Sequence, residues 1–283
     1  MKRFAVTCGA LILVGIACAI SIGWLLAHPV QTRIRNPPAD LNAQAVTFPS
    51  DSGTNVHGWW CPSQNDSKGS VLLLPGIRAN RLSMVDRARF LQRAGYSVLL
   101  IDFQATGETK GDHITFGWKE SRDGLAAIDF LRRTRPTDRV AIIGSSLGGV
   151  AALLATPPLK VDALVLEEVY PTIEIATRNR MENYLGAVGR ILTPLLLNQL
   201  QCRVGVSASQ LRPLNHIGDV GCPVFIMSGE KDRNTRSADT QMLFERARSP
   251  KQLWFVPKAG HVDLHRAAKV DYESRVLAFL KQM

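Results

Sequence analysis

Cysteine is scarce and poorly placed for covalent scaffolding. Of the five cysteines, Cys8 and Cys18 fall in an apolar N-terminal run, which leaves Cys61, Cys202 and Cys222, an odd number that allows no complete disulfide set. There is no C-x-x-C and no Cys/His grouping at metal-ligand spacing, so structural zinc and thiol redox chemistry are not expected. The three remaining thiols read as buried small hydrophobes. Also missing are a basic run interleaved with aromatics, a zinc-finger pattern and an RNP-like pattern. The formal charge of +10 therefore points to a basic solvated surface or to anionic lipid, and not to nucleic acid. There is no internal repeat and no low-complexity tract. With 46% hydrophobic and 20% charged residues, the 283-residue chain is no disordered segment and is long enough for one large α/β domain.

The N-terminus differs in kind from the rest. Lys2 and Arg3 precede an uncharged, mostly apolar run from Phe4 to Ala27 whose only hydroxyl side chains are Thr7 and Ser21. As a helix rising ~1.5 Å per residue it would reach about 36 Å, enough to cross a ~30 Å hydrocarbon layer with some tilt. A cleaved signal peptide is the competing reading. Ala17 and Ala19 form an A-x-A pattern, yet Ile20 to Ala27 stays apolar, past the ~7 to 15 residues of a cleavable core. The expectation is an uncleaved N-terminal transmembrane helix within residues 1–30, single-pass. Charge puts the short N-terminus inside and the rest of the chain on the non-cytoplasmic face, with Arg33 and Arg35 pulling against that orientation. Residues 31–43, which contain Asn36-Pro37-Pro38, read as an extended linker that lifts the domain off the bilayer.

From residue 44 on, the pattern alternates. Short β-like runs occur at 45–48, 56–60, 71–74, 98–102, 140–143, 163–166, 224–227 and 253–256. Helix-period segments lie between the later ones: Met84, Ala88 and Leu91; Leu125, Ile128 and Leu131; Val150 and Leu154; Tyr272, Val276 and Leu280. Continuous apolar runs such as Val71-Leu72-Leu73-Leu74 suit strands buried on both faces. The expected fold class is α/β: a mostly parallel eight-stranded sheet with helices on both faces, led by two strands able to form a hairpin. One connection breaks the rhythm. Between Leu166 and Val224 the segment from Ile173 to Leu200 is helical and apolar on one side, and we read about 168–220 as a cap inserted over the site.

Gly144-Ser145-Ser146-Leu147-Gly148 is a G-x-S-x-G between a β-like run and a helical stretch. Taken alone the pattern also matches Gly/Ser turns without chemistry. In this context it reads as a nucleophile elbow, a strained strand-to-helix turn in which small residues flank the serine two positions away. The N–H of Leu147 would then donate to an oxyanion at the positive end of the helix. A serine needs a base, and histidine has the matching pKa. Among six histidines, His28 sits at the membrane edge, His57 in an early strand, His113 and His216 in loops, and His265 at the start of the last helix. His261, in Lys258-Ala259-Gly260-His261, follows the final strand, on the edge where carboxyl-end loops of parallel strands meet. Asp232, after the strand 224–227, supplies the carboxylate that orients the imidazole. Glu167 and Glu168, at the end of the preceding strand, are its alternatives. A second oxyanion donor is expected from the loop Pro75-Gly76-Ile77, at the amide of Ile77.

The order of these motifs resembles the α/β-hydrolase superfamily from about residue 44 to the C-terminus, most closely its esterase, acyl-peptidase and monoacylglycerol-lipase-like branch. Asp102 matches an Asp that relatives carry at the end of the corresponding strand. The chain departs from the pattern in two places: Pro75-Gly76 stands where relatives have His-Gly, and Thr106-Gly107-Glu108-Thr109 where many have His-Gly-x-Ser. The resemblance implies a serine hydrolase with a Ser146, Asp232, His261 triad, an oxyanion hole from the Ile77 and Leu147 amides, an acyl-enzyme intermediate, and no metal or organic cofactor, and the N-terminal run would make it membrane-anchored. It implies as substrate a small acyl-containing molecule, a carboxylic ester, with lipid-derived esters favoured by the anchor. Two other functions stay open at this point: a serine peptidase or amidase using the same triad, and an inactive binding protein on the same fold.

Overall fold

The computed structural model describes residues 2–64 and 67–283, with side chains from Val14 onward among them, and gathers the apolar runs into one eight-stranded sheet. In chain order the strands are β1 (Val30–Gln31), β2 (Gln44–Ser50), β3 (Thr54–Cys61), β4 (Ser70–Leu74), β5 (Ser97–Ile101), β6 (Thr106–Gly107), β7 (Val140–Ser145), β8 (Ala163–Glu167), β9 (Val224–Gly229) and β10 (Lys251–Val256). The sheet order is β10-β9-β8-β7-β4-β5-β3-β2, and β1 pairs with β6 alone. The expected hairpin is β2 against β3, antiparallel, and β3 is antiparallel to β5. Every pairing from β5 across to β10 is parallel.

The helices are α1 (Lys2–Ala27), α2 (Val85–Arg93), α3 (Glu120–Thr134), α4 (Leu147–Leu154), α5 (Ile173–Leu197), α6 (Gln199–Val204), α7 (Ser237–Arg246), α8 (Leu264–Ala267) and α9 (Lys269–Leu280). They cover both faces of the sheet, which is why its central strands can be apolar throughout. In β4, Leu72 and Leu74 pack with Ala127 and Leu131 of α3 and Val150 of α4. Val71 and Leu73 point the other way, to Leu91 of α2 and Val276 of α9. Each fully buried leucine contributes roughly 1.5–3 kcal/mol over leaving it exposed, so a polar residue at either parity of this strand would be costly.

The long connection between β8 and β9 carries α5, α6 and three short 3-10 turns. α5 is bent at Gly186, whose φ of 58° and ψ of −139° are costly for a residue with a Cβ. Its flank receives α1: Ala19 and Ile22 meet Met181, Leu192 and Leu196, and Gln199 and Arg203 donate to the carbonyls of Ala19 and Ile20.

Three expectations need amendment. Among the described residues no helix is long and apolar enough to cross a membrane; the run expected to span 4–27 is helical as α1, but the side chains of residues 2–13 lie outside the described residues. The linker does not hang free. Val30 joins β6 through β1, Ile34 and Leu41 are buried, and Asp40 pairs with Arg89 of α2. Of the three domain cysteines only Cys61 is buried, its thiol pushed up to about 12 by desolvation, while Cys222 is half-buried and Cys202 exposed. The helix α7 between β9 and β10 had no clear apolar period in the sequence.

Candidate active site

The G-x-S-x-G segment forms the turn from β7 into α4. Ser146 takes φ 47° and ψ −108°, a backbone region costly for a non-glycine residue, and its neighbours hold it there. Its N–H donates to the carbonyl of Glu167 at 2.7 Å, and its own carbonyl accepts from Val150 at 3.0 Å. The flanking glycines are required by space: a Cβ at position 144 would stand 2.5 Å from the Gly149 nitrogen, and one at 148 would stand 2.3 Å from the Leu74 carbonyl oxygen. Leu147 is the first residue of α4, so its N–H has no acceptor within the helix. The loop after β4 arrives beside the serine, where a Cβ on Gly76 would be 3.9 Å from that of Ser146, and Ile77 packs on the small cluster of Ala105, Ile114 and Leu147.

The loops after β8, β9 and β10 meet at the same edge because backbone bonds continue past the strands. Glu168 N–H donates to Met227, Glu230 to Val256, and Lys231 to Ala259. Asp232 is fixed by two donors on one oxygen, the N–H groups of Asn234 at 2.7 Å and Thr235 at 2.9 Å. Its other oxygen lies 2.7 Å from Nδ1 of His261. A carboxylate on Nδ1 selects the tautomer with the proton there and leaves Nε2 as the base. The sequence-expected Asp232 and His261 are thus brought into direct contact. His265, by contrast, is buried against Phe90 and bonded to Glu273.

The two acids at the end of β8 part company, because the strand ends at Glu167 and Glu168 turns into the left-handed region. Glu167 turns to the α2 and α9 side, where Arg87 bonds both its oxygens at 3.0 and 2.7 Å and Tyr272 donates to it. Arg87 also reaches Asp263 at 3.0 Å, two residues beyond His261. Glu168, with φ 54°, turns to the site. Its Oε1 accepts from the N–H of Val262 at 3.0 Å, and its Oε2 is 3.8 Å from His261 Nδ1. Desolvation, and then the charge of Asp232, push its carboxyl up to about 9. Ligand atoms of Glu168, Asp232 and His261 come within 4.8 Å of one another. Nδ1 of His261 is bonded to Asp232, and an oxygen of Glu168 accepts from the N–H of Val262, so these atoms already form a hydrogen-bonded set. The sequence named both acids, but the turn at Glu168 and their partners, from α2 and from the loop after β10 far away along the chain, carry no local signal.

The loop carrying Ile77 is braced from beneath. Asp102 accepts from the N–H groups of Arg81 and Glu108, and the Arg81 guanidinium bridges Asp102 and Glu108. The bracing therefore comes from the Thr106-Gly107-Glu108-Thr109 stretch that departs from the relatives' pattern. Arg78, beside Ile77, donates to the carbonyls of Leu25 at 2.6 Å and His28 at 3.3 Å. This unforeseen contact fastens the end of α1 to the site.

The comparisons with known proteins bear on the fold and the family. The YqkD protein of Bacillus subtilis (strain 168), itself uncharacterised, is 23% identical over 100% of this chain and 98% of its own length. The polyketide transferase ATR5 of Stachybotrys chlorohalonatus is 23% identical over 87% of this chain and 99% of its own. Among solved structures, the esterase Pf2001 of Pyrococcus furiosus superposes with a TM-score of 0.75 at 23% identity, covering 91% of this chain and 98% of that one. The alpha/beta hydrolase GrgF of Penicillium sp. sh18 gives 0.68 at 20% identity over 86% and 99%. At these identities the likeness establishes the fold. A model of the alpha/beta hydrolase family matches residues 71–271, the stretch that holds every site segment from the Gly76 loop to His261, and the chain belongs to that family.

Proposed function

We propose that this chain is a serine hydrolase that cleaves carboxylic esters through an acyl-enzyme on Ser146. The observation that carries the reading is the 2.7 Å contact between Asp232 and Nδ1 of His261, set on the sheet edge that also bears the strained turn of Ser146. Nε2 of His261 takes the hydroxyl proton as Oγ of Ser146 bonds to the acyl carbon. The carbonyl electrons move onto oxygen, where the N–H groups of Ile77 and Leu147 stabilise the charge. The tetrahedral species expels the alcohol, protonated by the imidazolium, and water repeats the sequence to free the acid.

Lipid-derived esters held at a membrane are the substrates we favour. Support comes from the outer faces of the paired helices: Ile20, Trp24 and Leu25 of α1, and Tyr184, Val188 and Ile191 of α5, are exposed apolar or amphipathic side chains. A patch of this kind, on a chain of net charge +10, suits an anionic bilayer. The end of α1 is bonded through Arg78 to the loop of Ile77, which would keep the site close to that surface.

Labelling with a fluorophosphonate, followed by turnover of p-nitrophenyl esters and peptidyl nitroanilides, tests the reading. Wild type should label and hydrolyse esters, and Ser146→Ala should do neither, with kcat down ~10³-fold or more. Equal labelling of both proteins would remove Ser146 from the chemistry, and exclusive turnover of the anilides would replace the esterase reading by an amidase one.

A further inference from the structure

Glu168 is only 4% exposed, sits in the left-handed region at φ 54°, and among the described residues forms no ion pair with an Arg or Lys, its ion-pair contact being to His261. A buried acid in a strained backbone conformation beside a catalytic pair is a poor choice for stability alone. Its two oxygens divide their tasks. Oε1 accepts the N–H of Val262 at 3.0 Å, one residue beyond His261 and in the same loop. Oε2 faces Nδ1 of His261 at 3.8 Å, on the side of the ring that Asp232 already occupies at 2.7 Å.

Resting on the triad reading above, we propose that Glu168 is a positioning residue for His261: it holds the histidine loop through Val262 while Asp232 is present, and it becomes the carboxylate on Nδ1 when Asp232 is absent. The groups that decide its charge are Asp232 from the loop after β9, His261 from the loop after β10, Glu167 on its own strand and Arg87 from α2. With Asp232 ionised, burial and that like charge keep Glu168 protonated at neutral pH, its carboxyl pushed up to about 9. As an acid it still accepts from Val262 and adds no second negative charge to the pair. Without the Asp232 charge, the proton leaves Glu168 for solvent more readily, and the imidazolium formed as Ser146 is deprotonated favours the ionised partner.

Four variants measured for kcat and KM on a p-nitrophenyl ester test this. Glu168→Gln keeps an acceptor for Val262 but cannot ionise, whereas Glu168→Ala removes both properties. The expectation is kcat within about 3-fold of wild type for the glutamine, and about 10-fold below it for the alanine with KM unchanged. Asp232→Ala should retain activity clearly above His261→Ala, and adding Glu168→Gln to it should cost a further ~10-fold or more, to the His261→Ala level. A Glu168→Ala enzyme equal to wild type, or an Asp232→Ala enzyme indifferent to the second change, overturns the proposal. Failure of the triad reading is separable, since it would appear as undiminished labelling of Ser146→Ala.

Discussion

A side chain of even one carbon at position 148 would press within 2.3 Å of the Leu74 carbonyl oxygen, so the elbow and the end of β4 are built at a separation only glycine allows. The obstructing atom is backbone in the centre of the sheet, where it cannot swing aside. Gly148→Ala should therefore destabilise by about 3 kcal/mol, the upper end of overpacking costs. Urea unfolding monitored by circular dichroism measures this, and a midpoint equal to wild type would mean that the strand and the elbow can separate cheaply.

The buried pair of Arg87 and Glu167 makes a sharper prediction. Both side chains are almost fully enclosed, and Tyr272 and Asp263 complete the network. Arg87→Met leaves the Glu167 charge without a partner and should cost about 3–5 kcal/mol. The double variant Arg87→Met/Glu167→Gln should recover much of that loss, because no buried charge is then left alone. Equal melting temperatures for the single and double variants would show that the charge is not what destabilises.

Much of this was legible in the chain. All eight sheet strands, the hairpin and the turn of Ser146 follow from apolar period and small-residue punctuation, which are local signals. The pairing of Asp232 with His261 followed from one topological rule, that carboxyl-end loops share an edge. What stayed hidden depends on contacts between distant segments. Arg78 gives no sign in its own neighbourhood that it will bind the carbonyls of Leu25 and His28, and the pattern of residues 31–43 does not reveal that Ile34 and Leu41 will be buried. Glu168 could be named as a candidate acid, but its place beside Asp232, and not instead of it, depends on the Val262 amide.

Stability should carry the mark of Glu168 as pH changes. Its carboxyl rises from 4.5 to about 9 on folding, so the folded protein holds a proton that the unfolded chain releases. The resulting stabilisation is complete below the unfolded pKa, declines as pH climbs through that interval, and is gone above the folded one. Glu168→Gln has no proton to lose there. Its melting temperature relative to wild type should therefore rise steadily between about pH 5 and pH 9 and level off beyond. A difference that stays constant across the range would mean that Glu168 is already ionised in the folded protein.

The paired helices supply the last prediction. Ile191 of α5 is 75% exposed and Val188 is 59% exposed, so neither owes its apolar character to the core. Substituting such residues leaves packing almost untouched, within about 0.5 kcal/mol for ordinary surface changes. Placed in the headgroup region of a bilayer, however, each would contribute the burial of a full aliphatic side chain, and an aspartate there would also meet anionic lipid. Val188→Asp/Ile191→Asp should accordingly sediment less with phosphatidylglycerol vesicles than wild type, while hydrolysing a short soluble ester at the same rate. Gly186 sets the direction of this second half of α5 through its positive φ of 58°, so Gly186→Val, strained at that φ, should weaken vesicle binding in the same way without adding charge. If the aspartate pair binds vesicles as wild type does, the exposed face of α5 is not a lipid-binding surface.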